Sequence, residues 1–248
     1  MLMKSGLPAV ILYAALFITT HVSGQSIQED SILNQAALEH TLSVYYNQLG
    51  DQSPIYNGSL YRGYDVNFQG GSPYFLGGKA TPGGSVVYDS MLFTNVRLIY
   101  DDLAQILVVE DEGFKLRLVN ERVSAFTIGG HHFVRIFPAS GYQGLPDSGY
   151  FELSYPGTTS VLKWTKKKFR EDISVSEGLT RFVDKSESYY IYAGRRWLYI
   201  KSRKDLLQIL GDHRKEIQRF MKKNNLNYKK DKDNTIVQVA GYYDQLAK

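Results

Sequence analysis

The sequence predicts an α+β protein: an N-terminal helix, a long antiparallel β-meander forming a curved sheet or an open barrel-like one, and C-terminal helices. Three observations carry this. Apolar residues near the mature start recur at helical spacing, the middle of the chain switches to period two, and the last fifty residues return to helical spacing.

The first 24 residues set the expected location. Lys4 supplies a positive start, residues 7–20 form an uncharged apolar run, and Val22-Ser23-Gly24 places small residues before Gln25. This is the layout of a secretory signal peptide cleaved after Gly24. The apolar run is shorter than the roughly 20 residues needed to span a bilayer, which argues against a retained anchor. No transmembrane span is expected after cleavage. The 248-residue chain contains no cysteine. An exported protein without cysteine rests on packing alone, with no disulfide, thiolate metal site, cysteine nucleophile or lipid-modified cysteine. Usage of this kind points to a Gram-negative source and a soluble product, periplasmic or extracellular.

The mature chain reads as an N-terminal helix plus antiparallel β domain over 25–201, with a C-terminal helical subdomain over 202–248 packed on it. Ser26 and Glu29 have capping-box spacing, and Leu38, Leu42, Tyr45 and Leu49 continue a helical stripe until Gly50. Residues 51–84 are a loop-rich connector dense in Gly, Tyr, Asn and Pro. Strand-like runs follow at 85–89, 96–100, 105–110, 114–119, 123–128, 131–137, 150–155, 160–164, 189–192 and 196–201. Gly129-Gly130 is a two-residue hairpin signal, because both central residues of such a turn take positive φ. Phe114, Leu116 and Leu118 alternate with Lys115 and Arg117, as in a sheet with one buried and one wet face. Short connections favour an antiparallel meander. Ser202 with Asp205 caps a short helix, Asp212 caps a second, and a third carries Ile236, Ala240, Tyr243 and Leu246. A transmembrane β-barrel would need longer strands with an apolar lipid face, and the charged outward positions and helical ending argue against it.

Charge is split along the chain. Residues 25–160 hold 7 Lys+Arg against 14 Asp+Glu, whereas 161–248 hold 21 against 11. A basic surface aimed at an anionic partner produces such a split, and so do two opposed faces of one fold. The densest basic and aromatic run is Lys163, Trp164, Lys166, Lys167, Lys168, Phe169 and Arg170, with Arg195, Arg196 and Trp197 of similar type. The seven cations, Lys163, Lys166, Lys167, Lys168, Arg170, Arg195 and Arg196, form the candidate binding site. Basic and aromatic side chains together grip phosphates and stack on flat rings. They also occur where strand tryptophans pack and neighbouring cations snorkel into water. For an exported protein, anionic lipid headgroups, acidic polysaccharide or another envelope protein are better partners than nucleic acid.

Catalytic and cofactor signatures are missing from the sequence. His131 and His132 are adjacent, so on a strand they point to opposite faces and do not share one metal ion. No G-x-S-x-G elbow is present; Gly70-Gly71-Ser72 and Gly83-Gly84-Ser85 read as turns. Asp101-Asp102 and Glu110-Asp111-Glu112 supply carboxylates, but acids adjacent at strand ends are ordinarily solvated turn residues rather than the flanking pair of a glycosidase. No nucleotide-binding motif occurs. Accordingly no cofactor, no metal site and no catalytic residue is expected. Tyr56, Tyr61, Tyr64 and Tyr74 crowd the Gly-rich connector, as sugar-binding rings or as ordinary half-buried strand residues. Asn57-Gly58-Ser59 matches a glycosylation acceptor, relevant only to a eukaryotic route.

Several phrases occur together: Tyr56-Asn57-Gly58 with Tyr61; Gly84-Ser85-Val86-Val87-Tyr88-Asp89; Val96, Leu98 and Tyr100-Asp101; and Tyr242-Tyr243-Asp244 after a Lys-rich helix. In these the chain resembles a family of uncharacterised exported proteins of Gram-negative bacteria. The resemblance implies export and a single-unit fold and gives no residue a role. The expected function is a non-enzymatic binding or structural module of the bacterial cell envelope. The competing reading is an envelope-polymer hydrolase using carboxylates from separate strands. Its mark would be a deep pocket with paired carboxylates, or His131 with an acid partner.

Overall fold

Eleven strands form the framework of the computed structural model, which describes residues 54–111, 113–137, 144–146, 148–176 and 178–246. All of these lie within one compact unit. The strands are β1 (Ser59–Leu60), β2 (Thr81–Tyr88), β3 (Met91–Asp101), β4 (Ile106–Asp111), β5 (Phe114–Arg117), β6 (Val123–Ile128), β7 (His131–Ile136), β8 (Gly149–Tyr155), β9 (Val161–Ser174), β10 (Gly178–Ala193) and β11 (Arg196–Tyr199). Three helices follow: α1 (Arg203–Ile209), α2 (Arg214–Lys223) and α3 (Lys232–Leu246).

The α+β expectation is corrected. The described chain is mostly β: one antiparallel sheet in the order β1-β5-β4-β3-β2-β6-β7-β8-β9-β10-β11, with α1 to α3 at its C-terminal end. The expected N-terminal helix falls outside the described residues and has no support as an element of this fold. A helical stripe is a local signal, and short helices draw most of their stability from a packing partner that periodicity does not identify. The β share is also larger than the pattern suggested. β9 and β10 run for 14 and 16 residues, where period two marked only 160–164 and 189–192. Their outer halves form a two-stranded ribbon with many exposed positions, which hides the apolar alternation that reveals a strand.

Order in the sheet departs from a plain meander at two places: β1 adds to the far edge of β5, and β6 pairs with β2. β2 to β5 pair in sequence, and the chain then crosses to the far side of β2, where β6 pairs with it through Val86 and Phe126. Leu118, fully buried, lies in that crossing. From β6 to β11 the strands again pair in sequence. Ile128 and His131 face each other across Gly129-Gly130, which have φ of 57° and 80°, the left-handed conformation that glycine adopts without a Cβ clash.

The sheet curls strongly. Tyr100 on β3 and Tyr150 on β8 are four strands apart in order, yet their rings are 5.7 Å apart. Phe126 and Phe133 stack at 4.7 Å between them, and Phe75 of the connector meets Phe133 at 5.1 Å. Such edge-on and offset aromatic contacts fill the concave side. A second core lies between one face of β9 to β11 and the helices, joining Val161, Tyr189 and Ile191 to Leu206, Ile217 and Ile236. A third, with Phe151, Leu162, Tyr190 and Trp197, covers the opposite face.

The helices follow from local chemistry. The Ser202 side chain accepts a hydrogen bond from the Asp205 amide and caps α1. The second cap differs from expectation. α2 begins after His213, and Asp212 instead accepts from the His213 amide. α3 is fastened at both ends: Lys163 reaches Asp233 at 2.9 Å, while Asp244 accepts from the Thr159 amide and the Tyr155 hydroxyl, each at 3.0 Å.

Candidate functional site

The long β9–β10 hairpin distributes its cations by strand alternation. Odd positions of β9 face the helices and the connector. Even positions share the opposite face with Trp164. Three of the seven predicted binding residues, Lys163, Lys167 and Arg170, pair with acids of the same chain.

Lys163 is surrounded by acids, at 2.9 Å from Asp233, 3.4 Å from Glu152 and 3.7 Å from Glu187. Burial pulls its pKa down, but the hydrogen bond to Asp233 and the nearby carboxylates outweigh this and raise it. Lys167 lies 3.4 Å from Asp102 and donates to the Tyr74 carbonyl at 2.9 Å. Arg170 pairs with Asp172 and Asp184 and lies 4.6 Å above the Phe182 ring. Lys166 is exposed, with its ammonium 5.3 Å from the Trp164 ring. Lys168 is exposed on the same strand face. Arg195 and Arg196 sit at the β10–β11 turn, and Arg195 takes a φ of 63° there. The structure thus brings Lys166, Lys167 and Trp164 together and sends Lys163, Arg170 and the two turn arginines elsewhere.

What Lys166 and Lys167 join is a cleft of about 590 Å³. It opens where β9 leaves β8. The register between these strands ends at Glu152 opposite Lys163, and among the described residues no strand pairs with that edge of β9 from Trp164 onward. The β3–β4 turn supplies Asp102 and Gln105 to one side, Pro146 and Ser148 flank another, and Trp164 to Lys167 form the β9 wall. The Trp164 indole stacks on Phe151 at 5.6 Å with 18° between planes, which fixes its orientation.

Charge at the base of the cleft is balanced by burial. Asp102 is 2% exposed. Desolvation raises its carboxyl pKa against the lowering pull of Lys167, while desolvation lowers the Lys167 ammonium against the raising pull of Asp102. Gln105 completes the arrangement, donating from Nε2 to Asp102 Oδ1 at 3.0 Å. The neighbouring Asp101 has a different task. It accepts from the hydroxyls of Tyr61 at 2.6 Å and Tyr64 at 2.9 Å, and from the Ala104 amide at 2.9 Å. Two of the connector tyrosines therefore tie the connector to β3.

Sequence reasoning placed Asp101-Asp102 among solvated turn acids, and both are buried. Their partners come from up to sixty-odd residues away in the chain, so spacing carried no signal for them. His131 and His132 do diverge: His132 contacts Thr127, while His131 Nδ1 lies 2.6 Å from Glu152 Oε1. The other oxygen of Glu152 faces Lys163. Among the described residues, no hydroxyl hydrogen-bonds to His131, and no group of three or more His, Asp or Glu could hold a metal ion. Nor is any described helix long and apolar enough to cross a membrane. No protein-family model, curated protein or solved structure matches this chain.

Proposed function

We propose that this protein is an exported, non-enzymatic binding module of the bacterial cell envelope, and that its ligand is an anionic polysaccharide held in the cleft beside β9. The carrying observation is Trp164, an indole oriented by Phe151 with the exposed Lys166 ammonium over its ring. A sugar ring offers an apolar C–H face to the side of this indole away from Phe151, where the exposed, flexible Lys166 side chain swings aside to meet the sugar's carboxylate. Its carboxylate is matched by Lys166, which has no acid partner among the described residues, and its hydroxyls by Gln105, Thr165 and Ser148 of the cleft. Lys167 and Asp102 neutralise each other, so they shape the floor and leave Lys166 to set the charge preference.

Titration of the purified protein with polygalacturonate, with dextran as the neutral control, tests this reading. The acidic polymer alone is expected to bind, more weakly as salt rises. Lys166→Gln is expected to weaken it several-fold while the fold persists, since Lys166 is exposed. Equal binding of both polymers, or none, would overturn the proposal.

The hydrolase reading has one observation in its favour, the short His131–Glu152 contact. A triad needs a nucleophile on the other imidazole nitrogen and an acid devoted to the histidine. Glu152 is instead shared with Lys163. Glu152, between His131, Lys163 and, through Lys163, Asp233, joins β7, β8, β9 and α3.

A further inference from the structure

A second cationic concavity lies away from β9. It lies in the C-terminal helical region, between the end of the sheet, the first turn of α1, one side of α2 and the loop that follows α2. This pocket of about 750 Å³ is lined by five cations: Lys201, Arg203, Lys204, Lys222 and Lys229. Its other polar lining residues, Ser202, Gln218 and Asn227, are uncharged. Met221, Leu226 and Tyr228 make the apolar part of the wall.

Two features separate this pocket from the basic run on β9. First, acids of the same chain hold Lys163, Lys167 and Arg170, whereas none of the five pocket cations forms an ion pair among the described residues. One acid, Asp205, is close enough to act on the Tyr228 hydroxyl, but it does not line the pocket. Secondly, the lining elements are anchored. Met221 and Leu206 are buried in the core between helices and sheet, and the Leu226 amide bonds back to the Met221 carbonyl at 2.9 Å. Like charges gathered around a concave, partly apolar wall reinforce one another's field and favour a multiply charged anion. The guanidinium of Arg203 offers paired donors and the lysines point charges, the combination that suits phosphate.

We infer that this pocket binds a phosphate-bearing group with an apolar substituent: the phosphate meets Arg203, Lys204, Lys222 and Lys229, and the substituent packs on Met221, Leu226 and Tyr228. The chemistry is shared by an anionic phospholipid headgroup and by a soluble phosphate monoester. The site is separate from the polysaccharide cleft and stands or falls without it.

The test uses the full mature protein and three probes: phenyl phosphate, inorganic phosphate, and vesicles of phosphatidylglycerol or of phosphatidylcholine. Phenyl phosphate is expected to bind more tightly than inorganic phosphate. The Lys204→Gln/Lys222→Gln/Lys229→Gln variant is expected to lose about tenfold or more in affinity, given what hydrogen bonds to charged groups contribute. Arg62→Gln/Lys79→Gln removes exposed charge elsewhere and is expected to leave binding unchanged. Retention on phosphatidylglycerol vesicles only, lost in the pocket variant, supports the site and assigns a lipid source. Phenyl phosphate binding without vesicle retention supports it and assigns a soluble source. Absence of binding to every probe, or equal losses in the pocket variant and the control, would overturn it.

Discussion

Lys167 Nζ lies 3.4 Å from Asp102 Oδ2, and the two side chains are 8% and 2% exposed. This pair joins the β3–β4 turn to β9, elements that are distant in sheet order and brought together by the curl. A buried pair of this kind is costly to break from one side, because the remaining charge has no counter-charge. Lys167→Met is expected to cost about 3–5 kcal/mol. The Asp102→Asn/Lys167→Met double variant should recover part of it, measured as denaturation midpoints.

The same carboxyl gives a pH signature. Burial raises the folded pKa of Asp102 above the ordinary value of 3.8, so over the window between the two the folded state holds more protons than the unfolded chain. The Asp102 contribution is therefore fully present below the ordinary aspartate range and is lost as pH rises through the raised value. Denaturation across a pH series should show a falling component that is absent in Asp102→Asn.

Asp101 is 1% exposed and accepts from two tyrosines of the connector. Tyr61→Phe and Tyr64→Phe each remove one donor from a buried carboxylate, at an expected cost of about 1–3 kcal/mol. Because both donors share one acceptor, the double variant should not be additive. Trypsin should also cut faster after Arg62, which lies between them.

Asp244 closes the C-terminal end of α3 on the β8–β9 turn through Thr159, which is 4% exposed. Asp244→Ala strands the Thr159 amide and frees the Tyr155 hydroxyl, with an expected loss of about 1–3 kcal/mol. Hydrogen exchange should report it, with protection lost first at Thr159 and in α3.

Arg195 occupies the left-handed region at the β10–β11 turn, with a φ of 63°. A side chain there costs about 1–2 kcal/mol that glycine does not incur. Arg195→Gly should therefore raise thermal stability, offset in part by the greater entropy of the unfolded chain.

Much of the sheet was legible in the sequence because strand alternation and turn chemistry are local. The run 123–128 matches β6 to the residue, and Gly129-Gly130 forms the turn its composition implies. The β9–β10 ribbon was legible only at its inner end, where Val161, Leu162, Tyr189 and Tyr190 are buried. Farther out, Lys166 and Lys168 alternate with residues that meet the connector or solvent, and no apolar period survives. The basic run itself was plain to see, but whether each cation is neutralised depends on acids that lie far off in the chain, such as Asp102 and Asp233.

The sequence by itself determined a cysteine-free, β-rich chain with antiparallel pairing, a basic final third and the Ser202 cap, since each is fixed by composition or by residues within a few positions of one another. Only the tertiary structure decided that the fold is mostly β, that the sheet curls until Tyr100 meets Tyr150, and which cations have no acid partner among the described residues. Those outcomes depend on long-range packing and on the distances between charges, neither of which local spacing encodes. Hence Lys163 and Lys167, prominent in the basic run, became internal counter-ions, while Lys201, Arg203, Lys204, Lys222 and Lys229, scattered along the chain, converge on one pocket.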